Sequence, residues 1–204
     1  DPYHIALKAR EKDGVYKLSG TKTFVLDGHC ADKLLVVART SGKKDSRDGL
    51  TLFLIDRKTK GVKVTRTKMA DSRNAANITF RGVTAQREQI LGKVGGAADV
   101  LERTLDVARI GIAAEMLGST QECFDRTIKY LKEREQFGVP IGSFQALKHR
   151  AADMFCEVEL SKSVVLEALS ALDDGRDAAE VAKLASLAKT KVGETFTRVS
   201  REGI

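Results

Sequence analysis

Between Ala97 and Phe137 the chain carries no proline, and Leu101, Leu105, Ala108 and Ile112 recur at helical spacing. This predicts one helix of ~40 residues, about 60 Å long at 1.5 Å per residue. A rod of that length exceeds what a small bundle needs, so it implies packing against other domains or subunits. Gly138 and Pro140 end it. A second helix is predicted from about Phe144 to Leu172, stopping at "DDG", and a third from about Ala178 to Ser200. Upstream lies a Gly-rich hinge, "GKVGGAADV", and before it the pattern changes. "GVYKLSG", "TKTFVLDG", "KLLVVART", "LTLFLID", "VKVTRTK" and "ANITFRGV" are short runs rich in β-branched and aromatic residues, separated by Gly, Asp, Asn and Ser. "LSGTK" and "LDGHC" carry Gly where a tight turn needs it. The expectation is an α+β chain: a small antiparallel β barrel or sandwich domain over residues 1–93, then an up-down helical bundle over 94–204. That bundle has at least three long helices and is incomplete at its C-terminus.

The 204 residues suffice for one large domain or two small ones, burying roughly 70% of the unfolded surface. The net charge of +7 suits anionic partners. Acids interleave with the basic residues, as in "KEREQ", so no nucleic-acid partner is expected. Cys30, Cys123 and Cys156 are odd in number and far apart, which argues against a disulfide framework or a zinc cluster and for a reducing compartment, the cytoplasm. Each is expected to be a small core residue, and no metal site is expected. No apolar run reaches membrane-spanning length. The chain starts at Asp1 rather than Met and reads as a fragment.

The stretch "YLKEREQFGVPIGSFQALKHRAADM" raises the functional question. Ser143 suits the N-cap of the second helix. Gln145 then lies in the first turn, where free N–H groups and the helix dipole favour an anion. Arg134 lies in the last turn of the preceding helix. Such a corner can hold a pyrophosphate or an adenine. It can equally be a capped corner clasped by Phe137 and Phe144.

The same stretch resembles a segment of the flavin-dependent acyl-CoA dehydrogenase family that reads, loosely, Y-x-x-x-R-x-Q-F-G-x-P-I-x-x-x-Q-x-x-x-x-x-x-A-D-M. The resemblance implies that Arg134, Gln136, Phe137 and Gln145 contact the FAD of a neighbouring subunit. It also implies a middle β domain followed by a helical domain, in a dimer or tetramer. "LERTLDVARIGIAAEMLG" resembles the first long helix of the family's C-terminal domain, which implies that Asp106 and Arg109 approach the acyl-CoA substrate. An i, i+3 spacing places both on one helix face, and an isolated surface ion pair has the same spacing. "LSGTKTFVLDGHCAD" resembles the family's G-x-K-x-[WF]-I-[TS]-x pattern, implying that Phe24 and Leu26 face the flavin ring. Leu26 has no hydroxyl, so a hydrogen bond there must come from the backbone. Phe24 also suits an ordinary core position.

The resemblance implies FAD-dependent α,β-dehydrogenation of an acyl-CoA thioester, with electrons passed to an electron-transfer flavoprotein. The family's N-terminal helical domain has no counterpart here. The resemblance implies that the usual catalytic glutamate, the base, lies beyond Ile204; at the position just before Arg109, where some relatives carry the base, Ala108 cannot accept a proton. Two rivals remain: a non-catalytic subunit that lends its corner to a partner's FAD, and a basic helical interaction module without cofactor.

Overall fold

The computed structural model describes residues 1–71 and 73–204. These divide into two compact units, Asp1–Glu102 and Arg103–Ile204. The first holds β1 (Lys8–Lys12), β2 (Val15–Leu26), β3 (Lys33–Arg39), β4 (Leu50–Asp56), β5 (Val62–Lys68), β6 (Asn74–Ala85) and β7 (Ile90–Leu91). They form one sheet in the order β5-β6-β2-β1-β3-β4-β7. All neighbours are antiparallel except β1 and β3, which meet in parallel at Lys8 and Arg39. The expected β domain followed by helices is present. Among the described residues no pairing of β5 with β7 closes the sheet into a barrel.

Alternation explains the core. On β3, Leu34, Val36 and Ala38 are buried while Leu35 between them is exposed. Phe53 and Ile55 of β4 join them, with Leu18, Ile78 and Val83 from β2 and β6. "GVYKLSG" and "TKTFVLDG" are one strand rather than two. Gly20 is a mid-strand irregularity, not a turn, and β2 shifts its pairing to β6 on either side of it. β1 was hidden in "KAREK" because only Ala9 of its five residues is buried.

Arg39 ends β3 and is only 6% exposed. Its guanidinium donates to six backbone carbonyls, those of Tyr3, Ile5, Ser41, Lys44, Ser46 and Asp48. No carboxylate pairs with it among the described residues. One buried cation therefore ties the N-terminal residues to the loop over 41–49. That loop closes on Gly49, where a Cβ would sit 2.2 Å from the Ser41 carbonyl oxygen and φ is 81°.

Three helices follow: α1 (Ala98–Glu133), α2 (Gln145–Asp173) and α3 (Ala178–Glu202). In the second unit Ile110 and Ala113 of α1 pack with Val165, Ala168, Ala171, Ala185, Ala188 and Val192 of α2 and α3. Small side chains let α2 and α3 approach closely. Between them the buried Ser161 hydroxyl donates to Thr195 at 3.0 Å. The Lys191 ammonium, 2.5 Å away, and the Thr195 hydroxyl hold the Glu157 carboxyl below its ordinary range. Cys30 and Cys156 are exposed and Cys123 is partly buried, contrary to three core cysteines. Exposed thiols contribute reactivity rather than packing.

Replacing Arg39 by Met strands its acceptors in a buried loop, where each unmet group costs on the order of 1–3 kcal/mol. We expect Arg39→Met to lower stability by about 3 kcal/mol in urea denaturation. Arg39→Lys should recover only part of it, because an ammonium has three donors on one atom. A loss under ~1 kcal/mol would show that other contacts hold the 41–49 loop.

Candidate functional site

The corner between α1 and α2 is more structured than a helix break. α1 ends at Glu133, four residues earlier than Phe137, and the Arg134 N–H still bonds the Tyr130 carbonyl at 2.8 Å. Arg134 is thus the first residue beyond the helix. β8 (Glu135–Gln136) and β9 (Val139–Pro140) then form a hairpin, pairing Glu135 with Pro140 and Gln136 with Val139. Its two loop residues are Phe137 (φ 58°) and Gly138 (φ 76°). Two successive left-handed residues define a type I′ turn, normally made by Asn-Gly. A 3₁₀ turn over Ile141–Ser143 leads into α2. Gly142 allows this turn to press against α1, since a Cβ there would lie 2.7 Å from the Leu131 carbonyl oxygen.

Arg134, Gln136, Phe137 and Gln145 therefore share one corner, and all are exposed. Among the described residues nothing engages the Arg134 guanidinium. Phe137 is 89% exposed, and its ring meets Phe144 edge-on at 6.0 Å. The aromatic clasp exists but leaves most of Phe137 in solvent. Ser143 does not cap α2: the N-cap residue is Phe144, with no side-chain cap bond. Ser143 is taken up by the 3₁₀ turn instead, which leaves the first N–H groups of α2 free for an outside acceptor.

Asp106 and Arg109 form an ion pair on α1, with Asp106 only 7% exposed and Arg109 more open. Arg109 lies 24 residues before Glu133, about 36 Å along the helix. One α1 helix thus holds the pair and the corner far apart.

In the first unit, β2 ends in Phe24, Val25 and Leu26. Phe24 has φ 54°, is 58% exposed, and its N–H bonds the Asn77 side chain at 3.1 Å. That bond supports a bulge which turns the ring outward, so Phe24 is not a core residue. Leu26 is 66% exposed. Lys22 was not singled out, although alternation from Tyr16 and Leu18 places it on the inward face. It is half-buried, and burial pushes its ammonium below the ordinary lysine range.

Only four non-glycine residues have left-handed backbone: Asp13, Phe24, Asp27 and Phe137, among the described residues. Aspartate tolerates this region, whereas a bulky side chain there costs on the order of 1–2 kcal/mol. Both costly positions are phenylalanines held out in solvent.

The acyl-CoA dehydrogenase middle-domain description matches residues 1–83, and the acyl-CoA dehydrogenase C-terminal-domain description matches residues 95–204. The chain belongs to the acyl-CoA dehydrogenase family. Members of this family are FAD-dependent flavoproteins. The chain is 33% identical over 200 residues to the mitochondrial short/branched chain specific acyl-CoA dehydrogenase of Rattus norvegicus, covering 97% of this chain and 46% of that one. It is 34% identical over 192 residues to subunit CarC of the caffeyl-CoA reductase-Etf complex of Acetobacterium woodii, covering 93% and 50%. The solved butyryl-CoA dehydrogenase of Megasphaera elsdenii superposes with a TM-score of 0.88 at 28% identity, covering 98% and 52%. The chain spans about half the length of these relatives.

The uncapped start of α2 contrasts with α3, where the Asp177 carboxylate accepts from the Ala179 N–H at 2.8 Å. Asp177→Ala should cost about 1 kcal/mol, the usual worth of an N-cap. Ser143→Ala should cost under ~0.5 kcal/mol. Equal losses in thermal denaturation would return Ser143 to a capping role.

Proposed function

We propose that the whole protein carries out FAD-dependent α,β-dehydrogenation of an acyl-CoA thioester and passes the electrons to an electron-transfer flavoprotein. The observation that carries this reading is the pair of solvent-held phenylalanines on left-handed backbone, Phe24 and Phe137. Strain of that kind persists where a ligand uses it. The corner fits a dinucleotide on its own chemistry, offering a free guanidinium, two exposed carboxamides, an exposed ring and uncapped N–H groups. Arg134 would bind a phosphate, Gln136 and Gln145 would hydrogen-bond polar edges, and Phe137 would cover an aromatic face. Phe24 would stack against the flavin ring, with Leu26 beside it offering only backbone groups.

FAD would supply the hydride acceptor. Asp106 would hold Arg109 in place through their ion pair, leaving the more open guanidinium for the acyl-CoA. Ala108 offers no proton acceptor, and the base is assigned outside residues 1–204. The ~36 Å between Arg109 and the corner is too long for both to serve one reacting centre from one chain. The corner therefore serves the cofactor of a second subunit, in a dimer or tetramer. Val107, Ile112, Phe155, Leu160, Leu166 and Leu187 are exposed apolar side chains suited to that assembly. No described helix is long and apolar enough to cross a membrane. The unpaired cysteines support a reducing compartment, taken as the cytoplasm.

In the intact protein, Arg134→Ala should weaken FAD retention by about 10- to 150-fold, the worth of one charge-assisted bond of ~1.5–3 kcal/mol. Fold stability should change by less than ~1 kcal/mol. Phe137→Asn restores the residue that a type I′ turn favours, so it should lose flavin with little loss of stability. Equal flavin content in parent and both variants after dialysis would overturn the assignment of the corner.

A further inference from the structure

The turn after β2, "DGHCAD", brings three different donors together. One ligand atom each from Asp27, His29 and Cys30 lies within 4.8 Å of the others. The turn is fixed by backbone bonds: Asp27 N–H to the Asn74 carbonyl at 3.0 Å, and the Cys30 and Ala31 N–H groups to the Asp27 carbonyl at 3.0 Å. Arg57 clamps it from β4's end, its Nη1 donating to the His29 carbonyl at 2.5 Å and its N–H to the Asp32 carbonyl at 2.9 Å. Asp27 takes a left-handed φ of 53°, which an acidic side chain tolerates. The His29 Nδ1 is buried and finds no hydrogen-bond partner among the described residues. The anchored backbone therefore presents a carboxylate, an imidazole and a thiol on one side of a short turn.

We propose that Asp27, His29 and Cys30 form a binding site for a borderline-soft divalent cation of the Zn²⁺ class. Tetrahedral ligands ~2.1 Å from a metal stand roughly 3.5 Å apart, so atoms within 4.8 Å of one another need approach by only about an ångström. Thiolate and imidazole together select Zn²⁺ over Mg²⁺ or Ca²⁺, which take oxygen ligands. Three protein ligands leave a fourth position to solvent. Binding exchanges the Cys30 thiol proton, released to water, for the sulfur–metal bond, so affinity rises with pH. The ion would brace the turn that follows Phe24 and Leu26. A cysteine count that looks for pairs passes over the site, because it uses one thiol.

The test loads the intact protein with Co²⁺ as a spectroscopic stand-in and titrates Zn²⁺ against a chromophoric chelator. One ion per chain is expected, with a near-ultraviolet thiolate-to-cobalt absorption. Cys30→Ser should abolish that absorption and weaken Zn²⁺ at least about tenfold, and His29→Ala and Asp27→Asn should weaken it comparably. Asn keeps the left-handed turn, and Cys30 is exposed, so these variants should retain the parent's circular dichroism. Cys123→Ser and Cys156→Ser should bind as the parent does. The proposal is overturned if the parent shows no thiolate absorption, if Cys30→Ser binds Zn²⁺ as tightly as the parent, or if binding is lost instead on replacing His4, whose ring pairs with Asp45.

Discussion

A continuous helix of 36 residues sets the geometry of the helical unit. A helix is rigid over this length, and its rise per residue leaves no freedom in where its groups stand. The Asp106–Arg109 pair and the corner are therefore separated by chain geometry rather than by a loop that could fold back. Within one chain the pair and the corner cannot meet at one reacting centre.

The β unit solves a different problem. Its loop over 41–49 has little apolar content, and its carbonyls turn inward. Arg39 meets them with the one side chain that carries five donors in a fixed fork. A cation without a carboxylate partner is unusual in a core, but six carbonyl dipoles replace its water.

Elements with strong periodicity were legible in the sequence. α2 and α3 were placed to within about two residues, β5 was visible from alternation, and the runs at β3, β4 and β6 were visible from their β-branched and aromatic content between turn residues. β1 was not, because its outward residues are charged and its one buried residue, Ala9, carries no hydrophobic signal. The corner residues were found by their order along the chain, but the hairpin was missed. Phe-Gly is a poor cue for a type I′ turn, and Arg134 to Phe137 extend the helical pattern without a break. Ser143 had the chemistry of a cap and lost the position to Phe144 when the 3₁₀ turn formed. Lys22 was passed over because a lysine in a strand reads as an outward residue until the pairing partners are known.

The buried faces of α2 and α3 are built mainly of valine and alanine, Val158, Val165, Ala168 and Ala171 on one and Val181, Ala185, Ala188, Val192 and Val199 on the other, and side chains this short and alike discriminate weakly between alignments one helical turn, about 5.4 Å, apart. The Ser161–Thr195 bond, together with the Glu157 carboxylate gripped by Lys191 and Thr195, breaks that degeneracy. Slipping α3 by a turn would cost little in apolar contact but would uncouple the hydroxyl chain and leave a partly enclosed carboxylate without its ammonium. These polar groups act less as glue than as a vernier, selecting one alignment from several that burial alone would accept.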